Sequence, residues 1–333
     1  MNSDFTWDDV KFATLIWDSS FPIFLSEGYL SSLSENFGWV RGISSANSCV
    51  AWVGFTYYQR FGIRWCQVSD RVYYQNATEG IEEGVELNFV EQFITLLKSK
   101  SFDFIIQSPP HAIFKEVPKT ANWVPFGTYT VNLTLGEKEL WDAVHAKHRN
   151  LIRNAEKNGV SVELNNWTKV EDGYSVMQAT MNRQGLGFVE WKKLDLLIRR
   201  LTGNILFAIA WKDNKIQGCA LVPWSLHSGY YLYGGSVENP QLGAMNLIQW
   251  IVIRWLKERG CLKYDFVGAR VNPIEGSKQE GIQRFKQRFG ANMEVGKMWR
   301  FVFSPIKYKL YKLLLSVKIR QKYHDIIDCE MKG

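Results

Sequence analysis

Gly229-Tyr-Tyr-Leu-Tyr-Gly-Gly-Ser236, followed by Gln241-Leu-Gly-Ala244, an apolar run to Arg259 and then Lys263-Tyr-Asp-Phe266, decides the fold. It reads as strand, glycine-bearing loop, helix, strand. Such a loop brings a helix N-terminus to the end of a strand, where unpaired backbone N–H groups and the helix dipole favour an anion. Gly243 and Ala244 are therefore candidate ligand contacts, against the plainer reading that they only form the turn. Tyr231 and Tyr233 alternate with Tyr230 and Leu232, so one pair faces a core and the other can line a cleft. Asp265, at a strand end, is a candidate to accept a proton or hold an attacking amine, or else a structural carboxylate. Arg270, in the loop that follows, can reach the same place.

Upstream, Ile205–Trp211, Lys215–Trp224 and Tyr230–Gly235 form an antiparallel meander, with Asp213-Asn214 as a tight turn. A strand at Ser161–Leu164 and helices at Thr168–Arg183 and Trp191–Leu201 precede it. One helix is expected from Gly136 to Asn158, with Gly159 as its C-cap. Trp141, Val144, Leu151, Ile152 and Ala155 lie on one side of it, and Lys147, His148, Arg149, Arg153 and Lys157 on the other. Arg149 and Arg153 can contact phosphates of a nucleotide-sugar, a lipid-linked pyrophosphate or tRNA, or simply face water.

The first half repeats the plan. A helix is expected over Phe21–Leu33 with Pro22 in its first turn, then strands at Trp39–Ile43, Cys49–Tyr58 and Ile63–Val68 joined by turns at Ser44–Ser48 and Arg60–Gly62. An amphipathic helix at Val85–Lys98 and strands at Phe102–Gln107 and Gly127–Leu133 complete it. The expected fold class is α/β (α+β), with two tandem domains, each a mixed, mainly antiparallel sheet flanked by helices. The boundaries fall at 1–145 and 146–303, with a C-terminal helix in 304–333. The halves lack a Pro/Gly-rich linker, so a cleft between them is the default ligand site.

About twenty residues past the last strand stands Gly281-Ile-Gln-Arg-Phe-Lys-Gln-Arg-Phe-Gly290. Phe285 and Phe289, four apart, share a helix face and suit a core, while Lys286 leaves on a different face. Phe285 is also a substrate-contact candidate. Strand, loop, helix, strand and then G-I-x-R-F-K-x-x-F-G resembles the C-terminal half of the Fem family, the tRNA-dependent aminoacyltransferases of cell-wall precursors. That resemblance spans about Phe21 to Phe303 and is specific only in the second half. It implies that each half has the acetyltransferase (GNAT) fold and that Lys286 serves catalysis. Thr168–Leu201 is too short for the coiled-coil arm that some members insert in the second domain and has no heptads, so the chain looks like the armless branch. Acyl transfer to an amine passes through a tetrahedral oxyanion, which a positioned cation stabilises.

Acetyl-CoA-using members of the GNAT fold carry [Q/R]-x-x-G-x-[G/A] in the glycine loop. With Gly243 as the first glycine, the Q/R position is Pro240 and the last is Met245. Proline removes an N–H donor where the pyrophosphate needs one. The donor expected from this is aminoacyl-tRNA, with acyl-CoA acting on an amino sugar as the alternative and a catalytically inactive binding module as a third reading. No metal or redox cofactor is expected.

Net charge is +7, but residues 1–135 hold 9 Lys+Arg against 14 Asp+Glu, whereas 136–333 hold 31 against 19. The second part is therefore the one that should meet an anion. Five scattered cysteines without a CxxC pair argue against a disulfide framework or zinc site, and five histidines form no HExxH. The acidic N-terminus has the wrong sign for a targeting peptide, and no apolar run is long enough for a span. The expected location is cytoplasmic, possible contact with the inner face of an anionic membrane included. That contact rests on Ser304-Pro305 and the helix expected from there to about Asp325. Ile306, Leu310, Leu313, Leu314 and Val317 form an apolar stripe among Lys307, Lys309, Lys312, Lys318, Arg320 and Lys322. The stripe either packs on the N-terminal domain, as the resemblance implies, or lies in a membrane interface.

Overall fold

A computed structural model describes residues 7, 9–44, 50–75, 84–318 and 325–331, without the side chains of 316–318. The chain divides into two compact units. Unit 1 is Met1–Asp18, Phe24–Gly127 and Val295–Gly333, and unit 2 is Ser19–Ile23 and Thr128–Glu294. The divisions thus fall near 127 and 294, not at 145 and 303, and the C-terminal segment belongs to unit 1.

The first elements in chain order are β1 (Lys11–Ala13), α1 (Glu27–Leu33), β2 (Phe37–Ile43), β3 (Val50–Arg60), β4 (Ile63–Val68) and β5 (Tyr73–Gln75). α2 (Val85–Ser99), β6 (Phe104–Ile105) and β7 (Asn122–Asn132) follow. β1, β2, β3 and β4 pair antiparallel in that order, β5 pairs with β3, and β6 lies parallel to β4. The expected helix from Phe21 is shorter, because Ile23–Leu25 is a 3-10 turn and Ser26 caps α1 by accepting from Tyr29 N. α2 lays Val85, Phe89, Val90, Phe93, Ile94 and Leu97, at helical spacing, into the unit 1 core beside Phe55 and Trp299.

Unit 2 continues with α3 (Glu137–Ala143), α4 (Ala146–Lys157), β8 (Ser161–Leu164), α5 (Val170–Asn182), α6 (Trp191–Arg200), β9 (Ile205–Lys212) and β10 (Lys215–Pro223). Next come β11 (Gly229–Tyr230), β12 (Tyr233–Ser236), α7 (Ala244–Glu258), β13 (Lys263–Asp265), β14 (Ala269–Arg270) and α8 (Lys278–Gln287). The helix expected over 136–158 is two helices. Val144 turns extended at ψ 127°, and His145 starts α4 by accepting from Lys147 N. β8, β9, β10 and β12 form a four-stranded antiparallel sheet, with Asp213 and Asn214 both at positive φ in the β9–β10 turn. α7 buries Ala244, Leu247, Ile248, Val252, Ile253 and Leu256 in the unit 2 core. Each of these leucine, isoleucine and valine side chains contributes about 1.5–3 kcal/mol.

The strand expected over Tyr230–Gly235 is split, and this makes the site. β11 runs parallel to β13, with Gly229 opposite Tyr264 and Tyr230 opposite Asp265. After two residues the chain changes partner, and β12 pairs antiparallel with β10. Backbone N–H groups of Tyr231 and Leu232 go to the carbonyls of Asp265 and Tyr230. A wedge opens where the chain leaves β13 for β10.

The chain then returns to unit 1. β15 (Asn292–Val302) pairs antiparallel with β6, Phe301 opposite Ile105, and buries Met298 and Trp299. α9 (Pro305–Lys318) and α10 (Ile326–Glu330) follow. α9 docks through Tyr308 and Tyr311, which meet Phe104 at 5.1 and 4.9 Å, and Lys307 pairs with Asp103 at 2.9 Å. The apolar stripe read from sequence is not the docking face. Ile306, Leu310, Leu313 and Leu314 stay exposed. Arg320 and Lys322 lie outside the described residues.

Candidate active site

A cavity of about 550 Å³ lies in unit 2 at the wedge, among Thr180, Tyr231, Gly235, Met245, Phe285 and Lys286. Most of its wall comes from three elements. β12 supplies Gly234, Gly235 and Ser236; α5 supplies Thr180, with Gln184 just past its end; α8 supplies Lys278, Gly281, Ile282, Phe285 and Lys286. Tyr231, between β11 and β12, and Met245 of α7 complete the lining. A Cβ on Gly235 would lie 2.7 Å from Thr180 Oγ1 and 2.8 Å from Met177 Cα, so the missing side chain lets α5 close on the strand. Thr180 Oγ1 accepts from Ser236 N at 3.0 Å and fixes that approach.

Lys286 is only 7% exposed. Its Nζ donates to the carbonyl oxygens of Val267 and Gly268, at 2.5 and 2.6 Å. Burial lowers its pKa from 10.5 to about 8, and the Asp265 carboxylate opposes that shift. The group is therefore mostly an ammonium at neutral pH. Two of its three N–H bonds are held by the 267–268 loop, and one remains for an oxygen in the cavity.

The loop is itself shaped for this. Val267, φ +53°, is a β-branched residue in the left-handed region, followed by Gly268 at φ +66°. Asp265 Oδ1 accepts from Val267 N at 2.7 Å and from Thr128 Oγ1. Asp265 thus holds one side of the strained residue and Lys286 the other. Asp265 is fully buried and does not line the cavity, so its place is that of a positioning group.

The remaining candidates divide. Tyr231 lines the cavity, and burial pushes its phenol pKa up. Tyr233 instead stacks edge-on to Phe188 at 5.4 Å, because the split after β11 breaks the expected alternation. Phe285 does both expected jobs. It lines the cavity and packs on His148 and Phe289 at 5.3 and 5.2 Å. Arg270 is half-buried and off the cavity wall; its carbonyl accepts from Gln283 Nε2 at 2.8 Å.

Gly243 and Ala244 are packing positions. Gly243 has φ +88°, and a Cβ there would overlap the carbonyl oxygen of Leu151 on α4. An anion at this end of α7 would meet that oxygen's partial negative charge. Arg149 is likewise committed, since Nη1 donates to the carbonyls of Trp141, Asp142 and Val144 at the end of α3. Arg153 lies 5.3 Å over the Trp141 ring at a separate open recess. His148, read as part of a basic face, is 3% exposed against Phe285 and Phe289, and burial lowers its pKa to about 4. Thr180, Gln184 and Lys278 were not legible as site residues, since Thr180 and Gln184 lie on and just past a helix without a motif and Lys278 stands before the motif on α8. Among the described residues no three His, Cys, Asp or Glu side chains are grouped to hold a metal.

Residues 209–316 match the FemAB family. That FemAB segment contains the wedge, Lys286 and the 267–268 loop. A 154-residue stretch is 27% identical to a lipid II:glycine glycyltransferase of Staphylococcus haemolyticus (strain JCSC1435). The stretch is 46% of this chain and 36% of that protein. The fold is similar to the crystal structure of FemX, with a TM-score of 0.65 at 14% identity over 87% of this chain and 94% of that one. The Fem-type resemblance and the mixed α/β fold read from sequence are both borne out.

Proposed function

We propose that the chain is an acyltransferase that moves an aminoacyl group from aminoacyl-tRNA onto an amine of a peptidoglycan or other cell-envelope precursor. The observation that carries this reading is Lys286, a buried ammonium held by two backbone carbonyls at the wall of the unit 2 cavity. The acceptor amine attacks the ester carbonyl, a C–N bond forms, and negative charge develops on the carbonyl oxygen. Lys286 donates its remaining N–H to that oxygen. The tetrahedral intermediate collapses with loss of the tRNA hydroxyl oxygen, which takes up the proton released by the amine. A positioned donor of this kind is worth about 3 kcal/mol of barrier.

The similarity to a lipid II:glycine glycyltransferase supports a lipid-linked precursor as acceptor. In this reading the protein works in the cytoplasm at the inner face of a membrane. Among the described residues no helix is long and apolar enough to cross one. Tight contact between Gly243 and the Leu151 carbonyl disfavours a CoA pyrophosphate at the head of α7 and so supports tRNA as the donor.

The test is a transfer assay with charged tRNA or acetyl-CoA as donor and a nucleotide-linked or lipid-linked muropeptide as acceptor, with products weighed by mass spectrometry. Aminoacylated muropeptide formed only with charged tRNA is the expected result. Acetylated product would move the chain to the acyl-CoA class. No product with either donor, alongside thermal stabilisation by the muropeptide, would make it a binding module.

A further inference from the structure

α9 has two apolar faces, of which one meets aromatic side chains of unit 1 and the other keeps much of its area exposed. Tyr308, Tyr311 and Leu315, at three- and four-residue spacing, turn toward Phe104, Trp65 and the recess beside them. Ile306, Leu310 and Leu313, on the opposite side, are 82%, 45% and 61% exposed. Phe61 stands beside this helix at the tip of the β3–β4 hairpin, 71% exposed, and shares a recess of about 310 Å³ with Tyr311 and Leu314.

Two further features mark the patch. Phe61 sits at φ +51° in a tip whose next residue is glycine. A bulky aromatic in the left-handed region is strained, and such strain concentrates where a side chain has a job. The charge is also one-sided. Residues 304–315 carry Lys307, Lys309 and Lys312 and no Asp or Glu. Lys309 on α9 is exposed, and the Arg60 guanidinium lies 4.8 Å over the Phe61 ring. Lys307 and Lys312 are paired to Asp103 and Asp328, so among the described residues Lys309 and Arg60 are the cations beside the apolar strip.

We propose that this face of unit 1, with Phe61, Ile306, Leu310 and Leu313 flanked by Arg60 and Lys309, seats the protein on the surface of an anionic lipid bilayer. An aliphatic strip bordered by cations, on a helix whose own residues 305–315 include no acid, matches the boundary between acyl chains and anionic headgroups. A protein partner with an apolar groove would satisfy the strip but gives no reason for the absence of acids over residues 304–315. The aromatic tip and the helix enter the interface together, and the tyrosine face keeps α9 fixed to its own sheet. This assignment concerns unit 1 and does not depend on the acyl chemistry in unit 2.

The test is co-sedimentation of the full chain with vesicles of phosphatidylcholine containing phosphatidylglycerol, and with phosphatidylcholine alone, at physiological salt. The variants are Phe61→Asn, which suits a left-handed position, combined with Leu310→Gln, and separately Lys309→Gln. The wild type should sediment with the anionic vesicles and not the neutral ones. Its partition coefficient should fall at least about tenfold in the double variant and several-fold in Lys309→Gln. Transfer to a water-soluble acceptor should stay unchanged in both, so failure here is separable from failure of the proposed reaction. Wild type that stays in the supernatant overturns the assignment, as does a double variant that binds as well as wild type. A concentration-dependent dimer abolished by the double variant would assign the patch to a second copy instead.

Discussion

The Lys286 ammonium donates to the Gly268 carbonyl at 2.6 Å, and the same lysine takes the Val267 carbonyl on the other side. A buried cation therefore closes the loop that Asp265 closes from the opposite end. Burial lowers the lysine to about pH 8, against 10.5 when unfolded, so between those values the unfolded chain binds more protons. Folding stability attributable to this group must then rise with pH across that window. Below pH 8 the buried charge costs about 3 kcal/mol. Urea unfolding of wild type and Lys286→Met from pH 7 to 10.5 measures this. The difference should shift toward the wild type as pH rises, and a flat difference would remove the buried ammonium from the account.

Val267 is the strained member of that loop. Val267→Gly should be more stable than Val267→Ala by about 1 kcal/mol, because only glycine adopts the left-handed region without penalty. Chemical denaturation of the pair isolates the backbone effect. Equal stabilities would mean that the loop relaxes once the branched side chain is gone.

Gly243 separates α7 from α4 by no more than a hydrogen. Gly243→Ala should lose at least about 2 kcal/mol, since the new methyl overlaps the Leu151 carbonyl and φ is +88°. Thermal unfolding reads the loss. A neutral substitution would show that the α7 N-terminus has room for a ligand after all.

Arg149 is expected to matter for folding and not for turnover. Arg149→Ala strips Nη1 from three carbonyls at the end of α3 and should cost about 1–2 kcal/mol with kcat/KM nearly unchanged. A large rise in KM with unchanged Tm would return it to phosphate binding.

These residues also show which parts of the molecule could be read from sequence. The glycine loop, α7 and the F-K element were legible because each is local: a turn, an apolar period, a motif of ten residues. Unit boundaries were not, because β15 goes back to pair with β6, nearly two hundred residues earlier, and no local pattern announces its partner. Tyr233 was misplaced because alternation was carried through Tyr231 and Leu232, where the strand exchanges β13 for β10. His148 and Arg149 read as a basic face until packing put one between two phenylalanines and the other on α3 carbonyls. On α9 the aliphatic spacing was visible, but not that Tyr308 and Tyr311 would win the docking face.

The central claim, that Lys286 acts on the reacting group in the unit 2 cavity, is tested most directly by single-turnover transfer from charged tRNA to a muropeptide acceptor by wild type and Lys286→Met at pH 7. Methionine keeps the length and apolar stem of lysine and leaves Phe285 and Phe289 packed as they are. The account predicts a rate at least about a hundredfold lower, with a cooperative unfolding transition retained. A folded variant that transfers at the wild-type rate would contradict it.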